Sequence, residues 1–480
     1  MDPAFLEGLR AVLGDAVITA HEELRTYECD GLTNYRVVPS AVALPSTAEQ
    51  AQKVIQLCAR HGVAFVARGS GTGLSGGALP VEGGIVISIA RMTRILEVDI
   101  ANARAVVEPG VYNAAVTQRV ASQGYFYAPD PSSQSVCTIG GNVAENSGGA
   151  HCLKYGFTNT HVLGLEAVMP DGSVVQLGAP TLDSPGYDLS GIFVGSEGTL
   201  GIATKVILRL MKRPEVVQTL LAAFDSTNAA GAAVSDIIAS GIVPAAIEMM
   251  DNLAIQAAEA AVNAGYPNCG GLLLVELDGP AAEVSSLMEK VRKRCLAHGS
   301  WEIRLAQSEA ERMTIWKGRK AAFAAVGRIS PNYIVQDGVI PRTKLPEVMD
   351  EIRRLSDEAG LRVANVFHAG DGNLHPLVLY DRRIPGQEEQ AEELSAKILR
   401  LCVRVGGSIT GEHGVGAEKK MFMSEMFAEP DLETMQLLRC AFDPKLLSNP
   451  GKVFPRTPLC AERQGPNTPP ATVNGEAQYF

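Results

Sequence analysis

The apolar positions of this chain keep two rhythms. A helical spacing of Val54, Ile55, Leu57 and Cys58 follows Ser46-Thr47-Ala48-Glu49, which reads as a capping box, and it stops at Gly62. The short β-rich run Val63–Arg68 comes next, then Gly84–Ile89, Ile95–Ile100 and Ala105–Val111, separated by turn or charged residues. Leu163–Pro170 and Ser173–Leu177 flank Asp171-Gly172, a strong hairpin signal. Residues 36–213 therefore read as an α+β unit with short strands and few helices, preceded by a helical segment over 1–35. Beyond Pro214 the pattern changes: 224–264 is alanine-rich and helical in period, and 279–298 and 344–360 are amphipathic helices. The strands Gly271–Leu277 and Val363–His368 alternate with them, so 214–455 reads as a second α+β domain ending in a helical segment, and 456–480, rich in Pro, Asn, Thr and Gln, as a disordered tail.

Composition narrows the function. At 480 residues the chain is too long for one core. With 46% hydrophobic and 20% charged residues it reads as soluble and globular. A net charge of −11 and 5% aromatics weigh against nucleic acid, which needs a basic stripe or stacking platforms. No run of 18 or more uncharged apolar residues occurs, so no integral membrane segment is expected, and no signal peptide is apparent. The nine cysteines contain no C-x-x-C pair, which signals neither an iron–sulfur cluster nor a thiolate zinc site; reduced thiols in a cytoplasm are expected.

The densest chemistry is the loop Arg68–Gly77, with glycines at 69, 71, 73, 76 and 77. Without Cβ atoms, successive N–H groups can converge on an anion, and Ser70 and Thr72 add hydroxyl donors. The spacing is Gly-x-Gly-x-Gly and Ala78-Leu79-Pro80 does not open a helix, so a Rossmann loop is excluded. A flexible surface loop is the bland alternative. Two further small-residue segments, Pro129–Ser133 leading into Thr138–Gly149 and Gly195–Ile202, imply a large cofactor lying against the backbone.

A different constellation sits downstream. Val363–His368 and Leu374–Tyr380 read as the arms of a hairpin around Ala369–Asn373, which brings His368 and His375 near each other, and the glycine-rich segment 406–416 offers Glu412 and His413. Two imidazoles and a carboxylate suit a divalent metal with open positions. Ordinary hydrogen-bonded histidines are the plainer alternative. Arg319, in the helical stretch Trp316-Lys-Gly-Arg319, is either an exposed cation or a bidentate clamp for a carboxylate.

Together these motifs resemble the vanillyl-alcohol oxidase/p-cresol methylhydroxylase superfamily, and within it the glycolate oxidase flavoprotein subunit and the D-lactate and D-2-hydroxyglutarate dehydrogenases. The resemblance runs from Tyr27–Gly31 to Asn449–Lys452. It implies a two-subdomain FAD-binding domain of the p-cresol methylhydroxylase (PCMH) type over 36–213, then an α+β, ferredoxin-like substrate or cap domain. On this likeness Arg68 opens the loop, and Gly69, Ser70, Gly71, Thr72 and Gly73 cradle the pyrophosphate. Pro129, Ser133, Thr138, Gly141, Asn142, Ser147 and Gly148 line the isoalloxazine and ribityl parts. Glu197, Gly198 and Ile202 lie near the adenine half, and Asn449 closes on the flavin. Some members attach FAD through a histidine in the first loop; none stands there, so non-covalent FAD is expected.

The same likeness makes His368, His375 and Glu412 ligands of a divalent ion, Zn or Mn, Arg319 the grip on the substrate carboxylate and His413 the proton acceptor beside the reacting hydroxyl. The hydride on C2 of a 2-hydroxy acid would pass to FAD, and electrons would leave to a non-NAD acceptor. The D-2-hydroxyglutarate branch has a lysine near Tyr333–Asp337; none stands there, which favours glycolate or D-lactate. Iron–sulfur and second flavin-like subunits, and cytoplasmic or peripheral inner-membrane placement through them, follow as expectations. A metal-dependent hydrolase and a non-catalytic flavin-binding subunit are the rival readings.

Overall fold

The computed structural model describes residues 1–182, 186–456 and 460. The chain divides into two compact units that are not contiguous in sequence: Met1–Ser147, Phe157–Lys212 and His413–Phe480 form the first, Gly148–Gly156 and Arg213–Glu412 the second. The expected disordered tail, 456–480, lies outside the described residues except for Arg456 and Cys460.

In the first unit a four-stranded sheet runs in the order Val17–Ile18, Ala41–Ala43, Ile85–Ser88, Phe65–Arg68. Its last three strands are parallel, as a helical crossover demands. That crossover is the helix Ala48–His61, capped by Thr47, whose hydroxyl accepts from the Gln50 N–H at 3.2 Å. The cap thus sits one residue later than the Ser46–Glu49 box implied, because Gln50 turns its side chain back to the Ser46 N–H. Phe5 and Leu9 of the helix Pro3–Leu13 pack with Val54, Ile55, Phe65 and Ile87 in one core. A second sheet has the order Ile95–Asp99, Arg104–Val107, Ile202–Arg209, Val162–Val168, Val174–Gly178. The Asp171-Gly172 hairpin is present, with Val168 opposite Val174 and Gly172 at φ +87°. A third, two-stranded sheet pairs Met211–Lys212 with Tyr125–Phe126.

The second unit is built on a sheet of nine strands among the described residues. Its central order is Glu302–Leu305, Val216–Phe224, Gly271–Gly279, Ala246–Asp251, Val363–His368. The inner strands are buried on both faces, so alternate residues feed two cores. Leu220, Ala222 and Phe224 join helices Thr227–Ala239, Ala281–Ala297, Leu345–Ala359 and Gln387–Arg404 on one face. Leu221, Ala223, Leu272 and Leu274 join helices Asn252–Val262 and Glu309–Val326 on the other.

The strand Ala246–Asp251 corrects the sequence reading, which made 224–264 helical throughout. Its residues, Ala-Ile-Glu-Met-Met-Asp, favour helix locally. Pairing with Gly271–Gly279 on one side and Val363–His368 on the other overrides that preference. The cysteines bring a second correction: Cys440 and Cys460 form a disulfide, with Cα atoms 5.4 Å apart, where reduced thiols were expected. Bridging requires proximity in space, which a spacing of 20 residues did not reveal. The other seven cysteines are not in disulfides. No described helix is long and apolar enough to cross a membrane.

Candidate active site

In the first unit the three glycine-rich segments meet. The loop after Arg68 leaves the sheet without starting a helix, and its Ser70 hydroxyl donates to the Val136 carbonyl at 2.5 Å. A Cβ on Gly69 would overlap Thr138 Oγ1, so only glycine permits this approach. Thr138 caps the helix Ile139–Glu145 by accepting from the Gly141 N–H at 3.3 Å. Within that helix the Asn142 side-chain Oδ1 accepts from Asn113 Nδ2 at 3.0 Å, and Asn113 also donates to Pro129 O at 3.1 Å. Ser133 starts the turn that delivers Val136 and Cys137, and Ser147 O accepts from Thr158. The third segment is tied in through Gly195 N–H to Val143 O and Glu197 N–H to Ala144 O, both 2.8 Å.

Residues from the end of the chain complete this layer. Asn449 is buried and donates to Gly77 O at 2.8 Å and Glu197 O at 2.6 Å, and Ser448 donates to Gly198 O at 2.7 Å. Glu197 turns its carboxylate to the N–H groups of Val415 (2.7 Å) and Gly416 (2.6 Å), which fixes the backbone just after His413. Burial, then the charges of Glu197 and Asp30, holds the Glu145 carboxyl well above its usual range. Arg68 is also buried; it donates to Cys29 O at 2.7 Å and lies over the Tyr27 ring. The Ile202 side chain is part of the core around Phe65 and Leu447. Gly71, Thr72 and Gly73 are half-buried in the first loop, and a Cβ on Gly71 would overlap the Arg68 guanidinium. Gly148 belongs to the second unit.

In the second unit the alternation of the sheet sets out a polar line on the face covered by helix Glu309–Val326. His368 ends its strand directly opposite Glu248 of the neighbouring strand. The His368 ring donates from Nδ1 to Glu248 Oε1 and Oε2 at 2.8 and 3.0 Å. Its Nε2 lies 3.4 Å from Glu412 Oε1, and His375 Nε2 lies 3.2 Å from the same oxygen. The two rings stand edge to face with centroids 5.1 Å apart. One ligand atom from each of His368, His375 and Glu412 falls within 4.8 Å of the others.

Arg319 is 3% exposed and pairs with Glu248 at 2.5 Å, while its Nε has no hydrogen-bond partner among the described residues. Burial opposes charging of His368, yet Glu248 and Glu412 outweigh it and raise its pKa well above the usual value. Burial likewise works against the Glu412 carboxylate, which His368 and His375 hold well below its usual range. His413 itself is assigned to the first unit.

Sequence reasoning missed Glu248 and two supports. Asp337, fully buried, accepts from the N–H groups of Gly411 (3.0 Å) and Glu412 (3.1 Å), the Thr410 hydroxyl (2.7 Å) and Asn373 Nδ2 (2.7 Å), so it sets the Glu412 backbone. Glu276 accepts from Trp316 Nε1 at 2.6 Å and Arg312 at 3.1 Å, and His151 lies 3.2 Å away. Against the cost of burial, His151, Thr219 and Arg312 hold Glu276 down at about 2. The available signal was a single acid inside an apolar strand, Leu-Leu-Leu-Val-Glu-Leu and Ala-Ile-Glu-Met-Met, where burial demands a partner.

Residues 39–178 match the FAD binding domain family, and residues 213–453 match FAD linked oxidases, C-terminal domain. The chain is 52% identical over 452 residues to the glycolate oxidase subunit GlcD of Escherichia coli (strain K12), covering 94% of this chain and 91% of that protein. It is 33% identical to a D-lactate dehydrogenase of Archaeoglobus fulgidus, covering 86% of this chain and 90% of the relative. Among solved structures it shares the fold of p-cresol methylhydroxylase, with a TM-score of 0.78 at 18% identity over 94% of this chain and 96% of that one. An FAD-binding domain joined to the C-terminal domain of the FAD-linked oxidases makes this chain an oxidoreductase of that family, and it belongs to the FAD-linked oxidases.

Proposed function

We propose that the protein oxidises a small 2-hydroxy acid, glycolate or D-lactate, to the 2-oxo acid, and delivers the electrons to an acceptor other than NAD. The observation that carries this reading is the buried line Arg319–Glu248–His368–Glu412–His375, which pairs a cation suited to a carboxylate with donors suited to a divalent ion. The names of the relatives, a glycolate oxidase subunit and a D-lactate dehydrogenase, point the same way. D-2-hydroxyglutarate is the alternative substrate.

The chemistry supplied by the bound groups is a hydride acceptor in FAD and, in a divalent cation such as Zn or Mn, a charge that lowers the pKa of an alcohol. The residues of this chain do the rest. The donor set fits a cation, since two imidazole nitrogens and a carboxylate oxygen converge with a second carboxylate behind one ring. Arg319 grips the substrate carboxylate with a guanidinium edge, and its unpartnered Nε supports that role. His413 accepts the proton of the hydroxyl. The close approach of Gly69 to Thr138 supports a backbone cradle for the pyrophosphate, shared by Arg68–Gly73, with Pro129–Asn142, Ser147, Gly148, Glu197, Gly198, Ile202 and Asn449 around the remainder of the cofactor.

Anaerobic titration of the yellow protein should bleach the flavin with glycolate or D-lactate, and treatment with a chelator should slow that bleaching. A flavin left oxidised by glycolate, D-lactate and D-2-hydroxyglutarate alike would defeat the assignment and favour a non-catalytic flavin-binding subunit. FAD is held without a covalent bond, because the loop 68–77 has no histidine. Acid precipitation should leave a colourless pellet and a yellow supernatant; colour retained in the pellet would contradict this. The word "subunit" in the relative's name supports work within an assembly, with iron–sulfur and second flavin-like chains as partners and a cytoplasmic or peripheral inner-membrane location.

A further inference from the structure

We infer that Glu248 is a positioning residue that serves the cation site and the carboxylate clamp together, an inference that rests on the reading of His368, His375 and Glu412 as ligands. The strand register places Glu248 directly opposite His368. A carboxylate can only accept, so the 2.8 and 3.0 Å contacts require the proton of the His368 ring on Nδ1. That leaves Nε2 as the nitrogen a cation would take, on the side where Glu412 and His375 lie, 3.4 Å from the Glu412 oxygen. A histidine that donates its other N–H to a carboxylate is fixed in tautomer and ring orientation, and is a more basic ligand. His375 turns its Nδ1 to the Gln336 carbonyl at 3.4 Å, with Asp337 at 3.9 Å.

The same carboxylate pairs with Arg319, which is buried on helix Glu309–Val326 and stacks over Phe323 at 5.8 Å. A long arginine side chain keeps one orientation only if something holds its guanidinium, and Glu248 supplies that hold. Its own burial, 1% exposed, is costly unless Arg319 and His368 are both there to pair with it. Glu248 therefore links cation affinity to substrate affinity, and a change at this residue moves both.

The test uses the full-length, FAD-loaded protein freed of metal by chelation. Mn²⁺ binding followed by electron paramagnetic resonance should weaken about 10–100-fold in Glu248→Gln, and KM for the 2-hydroxy acid should rise in the same variant. Flavin content and thermal melting report whether the variant is folded. Glu248→Asp, which keeps the charge, should recover part of both losses. A folded Glu248→Gln that binds Mn²⁺ as the unaltered protein does would overturn the inference, provided His375→Ala abolishes binding. If the unaltered protein and His375→Ala bind Mn²⁺ equally poorly, the ligand reading falls and takes this inference with it. Should Glu248→Gln fail to fold, ring-nitrogen NMR of the Zn²⁺-loaded unaltered protein decides the matter: a proton on His368 Nδ1 supports the role, and a proton on Nε2 ends it.

Discussion

Replacing His413 with alanine is expected to leave FAD bound and to slow its reduction by substrate about 10²–10⁴-fold, the range that a positioned general base contributes. The flavin should stay because the grip on this stretch is made to its peptide groups, which alanine keeps. Glu197 grips the backbone N–H groups of Val415 and Gly416 rather than the imidazole. Gly414, at φ +85°, allows the chain to pass so close to Glu145 that a Cβ would overlap its carboxylate. The variant changes neither feature. Stopped-flow reduction under anaerobic conditions reads the rate directly. Reduction within a few-fold of the unaltered protein would remove His413 from the proton-transfer step.

Arg319→Met should damage both binding and stability. A lost charge-assisted contact to the substrate carboxylate is worth about 1.5–3 kcal/mol, so the dissociation constant for the 2-hydroxy acid should rise roughly 10–150-fold. Removing the guanidinium also leaves Glu248 buried beside a single partner, His368. Breaking one side of such a buried pair costs about 3–5 kcal/mol, which urea denaturation would show as a lower midpoint. Arg319→Lys restores the charge but not the fork, so it should recover more stability than substrate affinity. If Arg319→Met bound substrate normally while losing stability, the residue would be purely structural.

The contrast between what local chemistry encodes and what distant pairing decides is visible in these residues. The Asp171-Gly172 hairpin and the proximity of His368 to His375 depend on contacts a few residues long, and the sequence exposes them; the helix cap was legible to within one residue. Arg319 sits on a helix whose start is marked by Ser308, which accepts from the Glu311 N–H. Glu248 was hidden for a specific reason. Its strand is spelled in helix-favouring residues and becomes a strand only because two partners flank it, one of them 120 residues away at His368. The contact of Glu197 with Val415 spans 218 residues and left no local mark either. Residues 148–156 illustrate the same limit. They follow the second glycine segment without a break in pattern, yet Tyr155 hydrogen-bonds Asp278 at 2.6 Å and Lys154 pairs with it.

The strand that launches the first glycine loop has a partner made long after it. Phe65 N–H donates to Leu447 O, and Asn449 N–H donates back to Phe65 O, both at 2.8 Å, across nearly the whole length of the chain. At a synthesis rate of about 5–20 residues per second, the intervening chain takes roughly 20–80 s to appear. During that interval the edge beside the loop is unsatisfied, and the Gly77 and Glu197 carbonyls lack Asn449. If these groups hold the dinucleotide, their site is complete only near the end of translation, and a ribosome stalled in the middle of the message should carry a nascent chain that retains no flavin.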